Sequence, residues 1–301
     1  MGTRGTHSLP ANTITSKMVD YALSGISSVG VKKLGIELTI LRKAIVVAMA
    51  DEIPFNQIKR ETYSKLVSHY EQHGFATFFV YGRKQNDLER RLRRNIEKLR
   101  WNKGHPLLRF YDFLVLGIYK WYRPKSNIVG QDIFVNVPED IRHLSAKILS
   151  ALFCLSDLGY DLVIRTTVSS VLIPEVLNRK IQERETEGVL YGGRINSQKD
   201  GFIFASGSLT VLNRKCIDLI RINARKLDFS LIDDVAIGKL LLMTGITPSI
   251  GLKTIDIDHE NSISDLDSTL EFAQVRCKTS GTDIERRDVY LIRKVIDQLR
   301  I

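Results

Sequence analysis

Residues 44–50 read Ala-Ile-Val-Val-Ala-Met-Ala, and residues 75–81 read Phe-Ala-Thr-Phe-Phe-Val-Tyr. Each is a short, continuous apolar run of the kind that forms a buried β-strand. Between them lies a helix-like segment from Ile58 to His73, which Gly74 is expected to end. Two strands joined through a helix by short links are typical of a parallel α/β sheet.

The same alternation continues toward the C-terminus. Further strands are predicted over residues 132–137, 161–165, 188–191 and 201–206, and further helices over residues 138–158, 174–185, 213–224, 235–243 and 283–301. We therefore expect an α/β, Rossmann-like fold with a mainly parallel sheet flanked by helices. It forms a single domain over residues 41–301, with an N-terminal helical extension over residues 1–40 and a basic insertion over residues 83–125. No GxGxxG motif follows the first strand and no Walker A loop occurs, which disfavours the common dinucleotide and triphosphate sites.

The charge of the chain points to an anionic partner. Among 301 residues, Lys and Arg number 44 and Asp and Glu number 34, for a net charge of +10. Residues 83–125 hold 13 of those basic residues and 4 of the acids, interleaved with tryptophan and tyrosine. Three interpretations of this segment stay open: a solvated amphipathic helix, a surface that binds anionic membranes, and a nucleic-acid site. Nucleic acid is disfavoured, because the sequence has no zinc-finger, RNP or KH motif.

The cysteines and the N-terminal residues bear on location. Cys154, Cys216 and Cys277 are widely spaced and form no CxxC pair, which favours reduced thiols that fill apolar space over a zinc site. Residues 1–30 contain no apolar leader, and no apolar stretch of about 18 residues occurs. These features predict a cytoplasmic protein, with peripheral attachment to a membrane left open.

Two polar turns follow predicted strands, where ligands of open α/β sheets bind. Arg165-Thr-Thr-Val-Ser-Ser170 offers a guanidinium and four hydroxyls to a phosphate or a sugar. The alternative is a polar turn that caps the next helix. Ser206-Gly-Ser208 lets the backbone approach a ligand closely, and the alternative there is a plain tight turn.

Two adjacent carboxylates, Asp233 and Asp234, begin a predicted apolar helix between Ile232 and Val235. A helix cap accounts for one of them, because acids favour the first turn of a helix. A half-buried pair is also expected to have perturbed pKa values, so one carboxylate is a candidate general base.

A third polar group consists of Asp256, Asp258 and His259. Its carboxylates and imidazole are ligand types that a divalent metal accepts. A surface loop is the favoured interpretation of this segment.

In this order, the groups resemble the GT-A glycosyltransferases of the beta-1,3-galactosyltransferase and Fringe type and their short viral and bacterial relatives. The resemblance covers about residues 44–247. It is carried by Glu139 to Lys147, Asp161 to Ser170, Tyr191-Gly-Gly193, Ala205-Ser-Gly-Ser208 and Asp233-Asp-Val-Ala-Ile-Gly238. In that family the strand equivalent to residues 161–167 ends in aspartates that bind a divalent metal, whereas this chain has Arg165-Thr-Thr167.

The resemblance implies a GT-A-like fold and a hexosyltransferase that moves a sugar from a nucleotide sugar, UDP-sugar above all, to a hydroxyl of a glycan, lipid or protein. The resemblance also implies a single displacement that inverts the configuration at the anomeric carbon. Asp233 or Asp234 is the expected general base, and the helix register favours Asp234. We expect Arg165 to neutralise the diphosphate in place of a metal; if Mn²⁺ or Mg²⁺ does bind, Asp256, Asp258 and His259 are the fallback ligands. The expected donor-binding residues are Ala48, Asp51, Tyr81, Arg83, Arg165, Thr166 and Thr167. The expected sugar and acceptor pocket is Gly192, Gly193, Ser206, Gly207 and Ser208.

Two alternatives to a glycosyltransferase stay open. One is a hydrolase that releases free sugar from a nucleotide sugar. The other is a non-catalytic protein that binds a nucleotide, a nucleic acid or a membrane, using residues 83–125.

Overall fold

The structure is a computed structural model, in which the described residues are 41–50, 53–84, 91, 116–121, 123–184, 188–263, 266, 271–277 and 288–301. The predicted N-terminal extension, Asp51 and most of the predicted basic insertion lie outside these ranges. What the sequence indicates about them stays a prediction.

The described part of the chain contains eleven strands, most of which form one sheet. They are β1 (Lys43–Ala48), β2 (Phe75–Arg83), β3 (Ser126–Val129), β4 (Asp132–Pro138), β5 (Leu162–Thr167), β6 (Ser170–Leu172), β7 (Tyr191–Ser197), β8 (Ile203–Asn213), β9 (Ile250–Gly251), β10 (Thr254–Ile257) and β11 (Gln274–Cys277). The main sheet has the order β3-β4-β2-β1-β5-β8-β7-β9. Parallel pairs join β1 to β2 and β5, β2 to β4, and β7 to β9; β3–β4, β5–β8 and β7–β8 are antiparallel. The predicted α/β fold with a mainly parallel sheet is confirmed.

Helices cover both faces of this sheet. Within the described residues they are α1 (Ile53–Gln72), α2 (Leu144–Asp157), α3 (Pro174–Gln182), α4 (Arg214–Ile222), α5 (Asp233–Met243) and α6 (Asp288–Leu299). Val47 of β1 packs on one face with Tyr63 of α1 and Ile292 of α6. Val46 packs on the other face with Leu152 of α2, beside α4 and α5. Because both faces are covered, the central strands are apolar at successive positions, which is the pattern that made them predictable.

The helix that the sequence predicts from Pro138 begins later. Pro138 is the last residue of β4, a short 3₁₀ turn follows at Ile141–His143, and α2 begins at Leu144. The backbone N–H of His143 donates to Oδ1 of Asp140 at 3.0 Å, so Asp140 caps this turn instead of entering a helix.

A second, three-stranded sheet with the order β10-β11-β6 lies outside the prediction. Its strands have three or four residues each, too few for an alternating pattern to identify. Asp256, favoured from sequence as a loop residue, lies in β10, and Ser170, predicted in a turn, begins β6. In the described part of the chain, no helix has the length and apolar character needed to cross a membrane.

Candidate functional site

The carboxyl ends of three neighbouring strands meet at one edge of the sheet. Ala48 at the end of β1 is in register with Val80 of β2 on one side and with Thr167 of β5 on the other. The expected donor-binding residues Tyr81 and Arg83 follow at the end of β2. The structure therefore places these predicted residues along the edge where open α/β sheets bind ligands.

A buried ion pair lies beneath this edge. Nη2 of Arg165 in β5 lies 3.0 Å from Oδ2 of Asp233 in the first turn of α5, and the two side chains are 6% and 2% exposed. Burial raises the pKa of Asp233, and the Arg165 guanidinium opposes that rise. Since Asp233 is enclosed and faces a guanidinium, its position is that of a residue that holds Arg165 in place.

Arg165 retains a donor for which the described residues provide no acceptor. Its Nε is buried and makes no hydrogen bond among them. A buried N–H without an acceptor costs about 1–3 kcal/mol, so the fold bears an energetic cost to hold Arg165 in this position.

Gly207 lies flat against the Arg165 guanidinium, where a Cβ would overlap Nη1. A bulge in β8 brings it there. In the pairing of β7 with β8, Gly193 lies opposite Thr210 and Ile195 lies opposite Ala205. Residues 206–209 of β8 therefore lie opposite Arg194 alone, which defines the bulge. Within the bulge, the hydroxyls of Ser206 and Ser208 lie 3.2 Å apart. This local geometry accounts for the run of small residues in the sequence.

Asp234 connects the bulge to α5. Its Oδ2 accepts a hydrogen bond from the backbone N–H of Gly207 at 2.7 Å, and its Oδ1 accepts one from Val235 at 2.8 Å. The side chain is half-buried, whereas that of Asp233 is enclosed. The structure thus brings together four of the predicted site residues, Arg165, Gly207, Asp233 and Asp234, and leaves Asp234 as the carboxylate with access to solvent.

The hydroxyls of β5 are occupied by the fold. Thr166 is 1% exposed, and its Oγ1 donates to the carbonyl of Ser208 at 2.9 Å. Thr167 Oγ1 lies 2.9 Å from Ser170 Oγ, which also accepts a hydrogen bond from the fully buried Gln274 at 2.9 Å. These contacts tie β5 to the small sheet, so Thr166 contributes to the framework. Gln274 has no sequence signal of its own.

Two further arginines lie in this region. Arg194 of β7 forms a bidentate pair with Asp256 at 2.6 and 2.7 Å. Arg276 of β11 is in register with Asp256. Burial lowers the pKa of Arg276; the charge of Asp256 opposes this shift, and the charges of Arg194 and Arg165 add to it. Sequence analysis missed both arginines because they come from separate strands.

The fallback metal ligands have other partners. Asp256 is paired with Arg194, while Nδ1 of His259 contacts Asp258 in an exposed position. In the part of the chain that the structure describes, these three residues do not form a joint ligand set.

Gly192 and Gly193 have a packing role. A Cβ at Gly192 would overlap the backbone of Ile250, and one at Gly193 would overlap the backbone of Leu209. Gly193 also has a φ of +138°, which disfavours other residues. The close approach of neighbouring strands is enough to explain why both positions are glycine, so the glycines themselves are not evidence for a sugar pocket.

A second buried ion pair joins the ends of β1 and β2. The Lys147 ammonium donates to the carbonyl of Met49 at 2.7 Å and contacts Glu139, which in turn accepts a hydrogen bond from the backbone N–H of Gly82. Lys147 is 2% exposed. Glu139 and Lys147, which begin and end the first segment of the resemblance, therefore connect the carboxyl ends of β1 and β2.

A cavity of about 700 Å³ opens at the end of β2. The rings of Tyr81 and Phe134 stack in it, with centroids 5.5 Å apart and planes 20° apart. Its other lining residues are mainly amides and bases: Asn56, Gly82, Arg83, Lys84, Lys125, Ser126, Asn127, Asp132, Val135 and Asn136. Aromatic faces, amides and cations are the groups that hold a nucleobase and its phosphates.

No protein-family model matches the chain, and no curated protein matches it in sequence. Among solved structures it is similar to an active-site mutant of LgtC, with 10% identity, a TM-score of 0.40 and coverage of 86% of this chain and 96% of that one. It is also similar to mouse xyloside xylosyltransferase 1, with 10% identity, a TM-score of 0.34 and coverage of 79% and 97%. A UDP-glucose pyrophosphorylase structure is similar with 10% identity, a TM-score of 0.34 and coverage of 87% and 97%. Similarity at this level does not assign an activity, because one fold supports many chemistries.

Proposed function

We propose that this chain is a nucleotide-sugar-dependent glycosyltransferase of the GT-A type. The observation that carries the proposal is the arrangement of Arg165, held by Asp233 against the Gly207 bulge, next to the accessible carboxylate of Asp234. A departing nucleoside diphosphate needs a pre-positioned positive charge, and an acceptor hydroxyl needs a base. This edge offers one group of each kind.

The donor is proposed to extend along the edge from β2 to β5. The cavity beside Tyr81 and Phe134 takes the nucleoside, with uracil the expected base, and Arg165 takes the diphosphate. Since β1 lies between the two strands, their ends are about 10 Å apart at ordinary strand spacing. Tyr81 and Arg165 face opposite sides of the sheet, so the donor crosses the edge above Ala48.

The reaction is proposed to be an inverting single displacement. Asp234 removes the proton of an acceptor hydroxyl on a glycan, lipid or protein, the oxygen attacks the anomeric carbon, and the nucleoside diphosphate leaves toward Arg165. Two backbone N–H groups orient the Asp234 carboxylate, and each oxygen keeps a lone pair for the acceptor. Arg165 takes the charge-neutralising role at the position where the resembled family has a metal.

The test is a thermal-shift and transfer assay with UDP, GDP, CDP and dTDP and their sugars, with and without Mn²⁺. Asp234→Asn should lower kcat by about 10²–10⁴-fold while donor affinity changes little. The matched control is Asp297→Asn, on the exposed side of α6. Full transfer activity in Asp234→Asn, or no stabilisation by any nucleotide, contradicts the proposal.

The same assay separates the alternatives. Free sugar released without an acceptor indicates a hydrolase, and stabilisation without transfer or release indicates a non-catalytic binder. Binding to a nucleic acid or an anionic membrane through residues 83–125 stays a separate prediction. It calls for a salt titration, because phosphate contacts weaken steeply as salt rises.

A further inference from the structure

Two histidines and a glutamate come together at the amino-terminal edge of the sheet. His69 lies in the last turn of α1 and His73 follows four residues later, so both imidazoles are on one side of the helix end. Glu175 lies in the first turn of α3, and its Oε1 is 2.8 Å from Nε2 of His73. One ligand atom from each of the three residues lies within 4.8 Å of the other two.

The orientation of His73 is that of a metal ligand. Its Nδ1 lies 2.8 Å from the backbone carbonyl of His69, and a carbonyl only accepts, so Nδ1 carries a proton. The other ring nitrogen, Nε2, faces the Glu175 carboxylate and is the atom available to a metal ion. Histidines that bind metals commonly donate their other N–H to a backbone carbonyl in this way.

His69 brings a second imidazole next to that of His73. Its ring centroid lies 4.7 Å from that of His73, so one ion can reach a nitrogen of each ring. A divalent ion accepts both neutral imidazoles and the carboxylate together.

We propose that His69, His73 and Glu175 bind a divalent transition-metal ion, with Zn²⁺ the best match, which joins the end of α1 to the start of α3. Two imidazoles and one carboxylate are a donor set that Zn²⁺ takes, with water in the fourth position. Tetrahedral bonds of about 2.0–2.2 Å hold ligand atoms about 3.4 Å apart, so Glu175 Oε1 moves about 0.6 Å away from His73 Nε2 to admit the ion. The exposed side chain of Glu175 and the half-buried ring of His69 have room for such movement.

This site is separate from the proposed glycosyltransferase site. His69 and Glu175 belong to α1 and α3, which pack on the face of the sheet that holds Val47, whereas Arg165 points to the other face, toward Asp233 of α5. Metal binding here is therefore expected to stabilise the fold without changing nucleotide affinity.

The test uses the full-length protein, stripped with a chelator and titrated with Zn²⁺ or Co²⁺ at neutral pH. We expect one equivalent to bind, Tm to rise by about 5 °C or more at a hundredfold excess over Kd, and Co²⁺ to give the visible bands of a tetrahedral site. His73→Ala and Glu175→Gln should each weaken Zn²⁺ binding at least tenfold. His259→Ala, which removes an exposed histidine beside a carboxylate, should leave Zn²⁺ binding unchanged.

Three outcomes would overturn the proposal. They are an unchanged Tm without Co²⁺ bands, a Zn²⁺ response that survives both Glu175→Gln and His73→Ala, and a response lost in His259→Ala. Because Glu175 is exposed, Glu175→Gln is expected to fold and keeps the test decisive if His73→Ala does not fold.

Discussion

Breaking the ion pair between Arg165 and Asp233 is expected to destabilise the fold in a way that depends on both partners. The charged groups are 6% and 2% exposed, with 3.0 Å between Nη2 and Oδ2. At a charge separation of about 4 Å and an effective dielectric constant of about 20, their attraction is about 4 kcal/mol. Arg165→Met leaves the Asp233 carboxylate buried without a counter-ion. Asp233→Asn leaves the Arg165 guanidinium buried without a counter-ion. Each should lower the free energy of unfolding by about 3–5 kcal/mol.

The assay is a double-mutant cycle by urea unfolding at neutral pH. The double variant Arg165→Met/Asp233→Asn should lose about 2–3 kcal/mol less than the sum of the single losses, because neither charge then remains unpaired. Losses that add to within about 0.5 kcal/mol would refute the pairing. If a single variant is too unstable to measure, Arg165→Lys provides a milder change, since it keeps the charge and loses the planar fork.

Three more predictions concern single positions. Gly207→Ala should lower the free energy of unfolding in urea by about 1–3 kcal/mol, because the added Cβ overlaps the Arg165 guanidinium. Gly117 has open space around it, so Gly117→Ala should not lower that free energy. Equal effects of the two substitutions would contradict the contact between Gly207 and Arg165. Lys147→Met should cost about 3–5 kcal/mol by the same measurement, because it removes the counter-ion of Glu139, whose side chain is 11% exposed; a neutral result would show that the network is not formed. Because burial lowers the pKa of His69 below 6.5, the unfolded chain binds that proton more tightly, and metal-free stability should fall as pH drops from 6.5 through the lowered pKa. His69→Gln should flatten that part of the stability profile, and an unchanged slope would contradict the assignment.

The central sheet was predictable because its pattern is local. The apolar runs of β1 and β2 are buried on both faces, and Gly74, with a φ of +81°, ends the intervening helix where the sequence predicts. The small sheet was not predictable, because three or four residues carry no usable period. Pro138 was misassigned because a proline suits both a helix start and the last position of a strand, and the neighbouring acids decide between them.

The candidate site, like the fold, was predictable only in part. A lone guanidinium after an apolar strand, a run of small residues and two acids before a helix are visible in the sequence, and they are the residues that meet. Their roles were not visible. Asp233 is enclosed while its neighbour Asp234 is accessible, and Thr166 serves the framework, because burial depends on what packs above each side chain.

The sequence by itself determined the α/β fold class and the strand ends from which functional groups project, since both follow from the order of apolar and polar residues along the chain. Only the tertiary structure decided the partners. It paired Arg165 with a carboxylate 68 residues away, and it brought His69 and His73 to Glu175. Such contacts depend on how strands and helices from distant parts of the chain pack, and this packing leaves no periodic trace in the sequence.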